Sequence, residues 1–224
     1  MKKKIATLAL FSIVLLSMAT VLTATTKAAT DEEIEQAIKD GLTWLVAQQN
    51  SNPADPNYGS WNAYSGQLEA GTGLALYKLC DRAYELKKEN PEIESPFDPD
   101  YEYSQNVING FDWIFKHLAV VDIGIQNHTT GATGTMDDPD TNGNGKGVCT
   151  LNWLNSYTTG IVLAAIAASC TPDRVVNDPS SPVNGWTYGQ VAQDMVDFLA
   201  FSQVDPSTDC LLYTSPSPRD RTRS

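Results

Sequence analysis

Oxygen-bearing side chains with the spacing of a calcium loop lie in the middle of this 224-residue chain. Asp138, Asp140 and Asn142 alternate with other residues, and Gly143 follows them. Carboxylate and amide oxygens at this spacing can surround a hard cation, and the glycine permits the turn that gathers them. The twelfth position of the loop holds Cys149 instead of the usual bidentate glutamate. A plain Asx/Gly turn is the simpler interpretation, and the pattern raises the hypothesis of a Ca²⁺ site at Asp138, Asp140 and Asn142.

Other residue sets that support catalysis or metal binding are not evident in the sequence. The chain has two histidines, His117 and His128. His117 ends a helical segment, where a structural role is expected, and His128 lies in a glycosylation sequon by pattern only. The spacing of the cysteines matches no zinc motif. We find no Ser-His-Asp set, no glycine-rich phosphate loop and no basic patch.

The charge of the chain excludes one class of partner. The whole sequence has 15 Lys and Arg, 27 Asp and Glu and a formal net charge of -12. Between Thr30 and Asp209, 8 basic residues stand against 26 acidic ones. Such a surface repels phosphate backbones and anionic lipid head groups. Nucleic-acid binding is therefore not expected.

Both ends of the chain differ in composition from the part between them. Residues 1–29 begin with a basic segment, Lys2 to Lys4, and continue with a long apolar run and small residues, which predicts a cleaved secretory signal peptide, with an uncleaved anchor as the alternative. No other segment is apolar enough to span a membrane. Residues 210–220, CLLYTSPSPRD, resemble a translated sequencing adapter, so we interpret residues 210–224 as a disordered artefact, with a genuine Pro/Ser/Arg-rich tail as the alternative. The sequence thus predicts one secreted or cell-surface domain over residues 30–209.

Hydrophobic periodicity predicts five helices in that domain. The first, third and fifth are amphipathic, and the second and fourth are apolar on nearly every side. A long polar insertion lies between the third and the fourth helix, over residues 122–152, and loops of this length are often functional. The predicted helices cover residues 31–49, 69–86, 104–120, 156–170 and 189–203.

Parts of these helices repeat. The segments GLTWL at 41–45, GFDWI at 110–114 and MVDFL at 195–199 align, and TGL at 72–74 matches TGI at 159–161. Repeated helical hairpins bury their inner faces on their neighbours. The pattern predicts an all-α fold, a partial α/α toroid with about two and a half hairpins, and an open solenoid is the alternative.

The repeat resembles a known family. Gly41-x-x-Trp44-x-x-x-Gln48, followed by Gly59-x-Trp61, is similar to the glutamine–tryptophan repeat of squalene and terpene cyclases, and more broadly to the prenyltransferase/squalene-oxidase repeat. The resemblance implies an α/α barrel of roughly six hairpins, in which a Gln at a helix end and a Trp plane hold neighbouring helices together. The residues with this structural role are Trp44, Gln48, Gly59, Trp61, Trp113 and Phe198.

The same resemblance implies a place for ligands, at the starts of the inner helices. The cavity-lining candidates there are Glu69, Thr72, Tyr157 and Thr158. The acidic cluster of the cyclases and the zinc ligands of the protein prenyltransferases are not found. We therefore expect a non-catalytic binding or scaffold module for a protein, a glycan or an apolar ligand. The alternative is a toroid enzyme, terpene cyclase-like, prenyltransferase-like or polysaccharide-degrading, with catalytic residues partly in a further C-terminal half.

Overall fold

The structure, a computed structural model, describes residues 28–63, 66–125, 138–152 and 155–202. The predicted signal peptide, except for its last two residues, and the predicted adapter tail lie outside this part of the chain. The described residues form helices α1 (Asp31–Ala47), α2 (Leu68–Lys87), α3 (Ser104–Lys116), α4 (Asn155–Ala168) and α5 (Tyr188–Phe201), and strands β1 (Leu118–Asp122) and β2 (Lys146–Thr150).

The chain divides into two compact units, residues 1–41 and residues 42–224. In the first unit, the described residues start α1 with a capping box. The Glu33 backbone N–H donates to the Thr30 hydroxyl at 3.2 Å, and the Thr30 N–H donates to the Glu33 carboxylate at 2.8 Å. Three acidic residues in the first turn also favour the start of a helix here, because negative charge stabilises the positive end of the helix dipole.

In the second unit, the prediction of an all-α fold, a partial toroid of helical hairpins, is wrong. Strands β1 and β2 form a two-stranded antiparallel sheet, in which Leu118 pairs with Thr150 and Asp122 with Lys146. The predicted third helix included residues up to 120, whereas α3 ends at Lys116. The physical reason is the β-branched pair Val120 and Val121, which favours a strand, and the partner strand at the far end of the polar insertion.

Helices α2 and α4 pack against each other over a long contact. Gly73 makes this possible, because a Cβ at this position would lie 2.8 Å from the Ile161 side chain. The expectation that both helices are buried on all sides is also wrong. Each exposes one side, and Leu74 and Tyr77 on α2 and Tyr157 on α4 are accessible to solvent.

An aromatic cluster forms the core around α3 and the start of α5. The rings of Phe111 and Phe115 stack with centroids 5.8 Å apart, and the Tyr188 ring lies 4.8 Å from that of Phe115. Phe97 packs against Phe111 at 5.6 Å. Aromatic side chains bury large areas, so this cluster fixes α5 against α3. The position of α5 matters below, because it carries two buried carboxylates.

Candidate functional site

The end of α1 and the loop after it are held to the rest of the unit by a buried glutamine. The Gln49 amide donates to the carbonyl oxygens of Gly59, at 2.8 Å, and Asn106, at 3.0 Å. The Asn106 amide donates back to the Gln49 side chain at 2.7 Å. Gln48, for which the sequence predicted this role, is exposed. Helix α1 ends at Ala47, so the chain turns and Gln49 points inward.

Trp61 is fixed in the core beside that glutamine. The Trp61 indole N–H donates to the Leu45 carbonyl oxygen at 2.7 Å, and the Trp61 backbone forms an isolated β-bridge with Gln49. Its backbone N–H donates to the Thr72 hydroxyl at 2.9 Å. Thr72, a predicted cavity-lining residue, is buried, and its hydroxyl binds the backbone of Trp61.

Thr159 makes the same contact in the second half of the unit. Its hydroxyl accepts a hydrogen bond from the Thr150 backbone N–H at 3.0 Å. Thr150 pairs with Leu118 across the sheet, as Trp61 pairs with Gln49. In both places a threonine near the start of a helix, α2 or α4, thus accepts a hydrogen bond from the backbone N–H of the extended segment before that helix.

The remaining repeat residues differ in environment. Trp113 and Phe198 are buried, and the side chain of Phe198 packs against Gly147 of β2. Gly59 has φ +91°, and a Cβ on it would lie 2.3 Å from the Asn109 carbonyl oxygen. Trp44, which aligns with Trp113 in sequence, is 65% exposed. The aligned aromatic residues therefore do not share one environment.

Trp44 lies at a groove of about 420 Å³ between the end of α1, the loop after Trp61 and α2. The buried Trp61 and the apolar residues Leu45 and Leu74 also line the groove. The polar groups of the groove are the amides of Gln48 and Asn62 and the ammonium group of Lys78. The groove combines an accessible aromatic face with groups that donate and accept hydrogen bonds.

Two of the predicted cavity-lining residues, Glu69 at the start of α2 and Thr158 at the start of α4, lie in one hydrogen-bonded network. The Asn152 amide donates to the Glu69 carboxylate at 2.8 Å, and its oxygen accepts from the Thr158 hydroxyl at 3.2 Å. Thr158 also contacts the Thr150 hydroxyl. Tyr157 lies on the exposed side of α4, away from this network. His117, the histidine in the described part of the chain, takes no part, because just after α3 its ring stacks on Trp113 and its Nδ1 lies 2.7 Å from the Trp113 carbonyl oxygen.

The residues of the hypothetical calcium loop turn their oxygens onto their own backbone. Asp140 accepts hydrogen bonds from the N–H groups of three later residues, with distances from 2.6 to 3.2 Å. Asp138 accepts from the Asp140 N–H at 3.1 Å, and Asn142 accepts from the Asn144 N–H at 3.0 Å. The motif thus folds into a tight turn around Asp140, and Gly143 and Gly145 both have φ near +70°.

Two residues that face this turn were not found by sequence reasoning. Asp194 and Asp197 on α5 are fully buried beneath the loop, and they receive hydrogen bonds from Thr141, Asn142 and Asn144. Their spacing of three residues was the only available indication, because such residues share one face of a helix. The residues to which they bind lie about fifty positions earlier in the chain.

Three further observations concern membranes, metal ions and known proteins. In the described ranges, no helix is long and apolar enough to cross a membrane. Within the same ranges, no three His, Cys, Asp or Glu side chains are grouped so that they could hold a metal ion by themselves. Comparison of the chain with protein-family models, curated proteins and solved structures gives no match.

Proposed function

We propose that this chain is a secreted or cell-surface, non-catalytic binding domain that takes a neutral glycan in the Trp44 groove. The observation that supports this proposal is the exposure of Trp44, a residue that is 65% accessible and lines a groove of about 420 Å³. A large aromatic ring is normally buried for its apolar area, so an exposed one beside polar groups is typical of a binding site.

The chemistry of the groove favours a sugar over a purely apolar ligand. The flat face of an indole packs against the C–H groups of a pyranose ring. The amides of Gln48 and Asn62 can both donate to and accept from sugar hydroxyls, and neither makes a side-chain hydrogen bond to another described residue. An apolar ligand would leave these amides without partners in the complex, which costs binding free energy.

The charges near the groove favour a neutral glycan. The ammonium group of Lys78 is paired with the Asp81 carboxylate at 2.6 Å, so it does not offer a free positive charge. The formal charge of the whole chain is -12, which repels anionic sugars at a distance. Uronic acids and sulfated sugars are therefore disfavoured.

The network around Glu69 supports a binding domain over an enzyme. Its carboxylate, amide and hydroxyl groups satisfy one another, and the described part of the chain pairs no nucleophile with a general base there. The internal repeat remains a prediction. It is supported by the matching contacts of Thr72 and Thr159.

The test is calorimetric titration of the purified chain with a panel of neutral oligosaccharides built from glucose, mannose, xylose and N-acetylglucosamine. We expect at least one of them to bind and to change tryptophan fluorescence. Trp44→Ala should weaken that binding at least about tenfold, which corresponds to about 1.4 kcal/mol, and Trp44→Phe should retain part of it. Val175→Ala is the control, because Val175 is also exposed but does not line the groove. Absence of binding across the panel, or unchanged binding by Trp44→Ala, would refute the proposal.

A further inference from the structure

A second groove, of about 460 Å³, lies next to the Trp44 groove on the surface of α2. It is bounded by the second half of α2, the C-terminal part of α4 and the residue that follows the turn after α4. We call it the Tyr77 groove. Among the residues that line it are Tyr77, Asp81, Tyr84, Ala164, Ala167 and Cys170.

The Tyr77 groove combines the same kinds of group as the Trp44 groove. Tyr77 is 46% exposed, so an aromatic ring is again accessible beside polar atoms. The Tyr84 hydroxyl donates to the Ser169 carbonyl oxygen at 2.7 Å, which fixes a second ring in the groove. Asp81 adds carboxylate oxygens, which accept hydrogen bonds from hydroxyl groups. An aromatic face together with hydrogen-bond acceptors suits a sugar ring, which has both C–H groups and hydroxyls.

One ion pair joins the two grooves. Lys78 lines the Trp44 groove and Asp81 lines the Tyr77 groove, and the Lys78 ammonium group lies 2.6 Å from the Asp81 carboxylate. Leu74 and Tyr77 are likewise three residues apart, so these four side chains share one strip of the helix surface. The ion pair presents donors and acceptors without net charge. A ligand that leaves one groove therefore meets groups that bind neutral hydroxyls before it enters the other.

The distance between the grooves sets the size of a ligand that fills both. The residues of α2 that line the Trp44 groove lie between Gly71 and Lys78, and those of the Tyr77 groove lie between Tyr77 and Tyr84. With a rise of about 1.5 Å per residue, the two sets are centred about 9 Å apart along the helix. This distance is longer than one pyranose ring. A single sugar cannot fill both grooves, whereas a chain of several linked units can.

We propose that the Tyr77 groove is a second subsite, so that a linear neutral oligosaccharide binds across α2 from Trp44 to Tyr77. This inference rests on the proposed function and adds to it the shape and the length of the ligand. Trp44 packs against a unit at one end of the oligosaccharide, and Tyr77 packs against a unit at the other end. Lys78 and Asp81 bind hydroxyl groups of the units between them.

The first test is calorimetric titration of the full chain with a length series, from disaccharide to hexasaccharide, of each neutral sugar in the panel. The hexasaccharide should bind at least about tenfold more tightly than the disaccharide, because only the longer ligand reaches both aromatic rings. Tyr77→Ala should remove most of this gain, and Tyr77→Phe should keep it because the ring remains. Tyr157→Ala is the matched control, because Tyr157 is 60% exposed but lines neither groove.

The second test needs no substitution, because Cys170 lines the Tyr77 groove and is exposed. Of the cysteines that the structure describes, Cys80 and Cys149 are buried, so iodoacetamide should modify Cys170 in the folded chain. The hexasaccharide at ten times its Kd should slow this reaction by up to about tenfold, since the free protein is the reactive form. The disaccharide at ten times its own Kd should leave the rate unchanged. Mass spectrometry of the peptide that contains Cys170 measures both rates.

The outcomes distinguish this inference from the proposed function. Equal affinities for disaccharide and hexasaccharide, a gain with length that survives Tyr77→Ala, or unchanged labelling of Cys170 in the hexasaccharide complex would each refute the second subsite and leave the Trp44 groove as proposed. If no sugar of any length binds, the proposed function and the second subsite are both wrong. If Tyr77→Ala does not fold, the labelling of Cys170 decides the question.

Discussion

The hydroxyl groups of Thr72 and Thr159 allow a quantitative prediction of how much each stabilises the fold. Thr72 accepts the Trp61 backbone N–H at 2.9 Å, and Thr159 accepts the Thr150 backbone N–H at 3.0 Å. All four residues are buried, so water cannot replace a lost hydroxyl. Replacing either threonine with valine keeps the volume and leaves a buried N–H group without a partner. Such a group costs about 1–3 kcal/mol, and we expect this loss of unfolding free energy from Thr72→Val and from Thr159→Val separately.

The assay combines urea unfolding with amide hydrogen exchange. A loss of 1–3 kcal/mol corresponds to about 5–150-fold faster exchange of the single amide that loses its acceptor, at Trp61 in one variant and at Thr150 in the other. Thr72→Ser is the matched control, because it loses a methyl group worth about 1 kcal/mol but keeps the acceptor, so the Trp61 amide should stay protected. If Thr72→Val is as stable as the wild type, or if Trp61 and Thr150 exchange at unchanged rates, the structural equivalence of the two contacts is wrong.

Two other predictions concern stability. Gly59→Ala should lower the free energy of unfolding by at least about 2 kcal/mol, because φ is +91° and the new Cβ would lie 2.3 Å from the Asn109 carbonyl oxygen. Gly160→Ala, where the Cβ enters open space within α4, should instead raise the free energy of unfolding by up to about 1 kcal/mol. Equal melting temperatures of the two variants would contradict this reasoning. The hydrogen bond from the Ser180 hydroxyl, the largest cause, lowers the pKa of Asp178 to about 2. Since the folded pKa is below the ordinary value near 4, the stabilisation is present above about pH 4 and is lost as the pH falls toward 2. In Ser180→Ala the melting temperature should therefore fall less steeply between pH 4 and pH 2 than in the wild type. The same pH dependence in both proteins would count against this prediction.

The helices could be located from the sequence because their apolar residues recur at helical spacing. The starts of α2, α4 and α5 were predicted within one residue. The predicted helix ends were less accurate where pairing with a distant segment of the chain determines the backbone conformation. Val120 was assigned to the end of α3, but it pairs with Val148 of a strand that begins 24 residues after β1 ends. Periodicity within one window contains no information about such pairing, so the sheet was missed and the all-α prediction failed.

The candidate site shows a second limit, which concerns side-chain direction. The sequence pattern placed the structural glutamine at Gln48, and the structure uses Gln49. A helix that ends two residues earlier than predicted reverses which of two adjacent side chains points inward, and helix ends are the least certain feature of a sequence-based assignment. The difference bears on the proposed binding groove, because Gln48 is thereby exposed beside Trp44.

The insertion loop and α5 make a contact that composition alone does not reveal. The loop is rich in asparagine and glycine, and α5 carries two aspartates that sequence reasoning did not single out. In the structure the two features explain each other. A helix face with two carboxylates cannot be covered by apolar side chains, because their charges would be left without partners. It can be covered by amides and hydroxyls, and those are the groups that Thr141, Asn142 and Asn144 supply. The polarity of the loop is therefore the condition for its packing on α5.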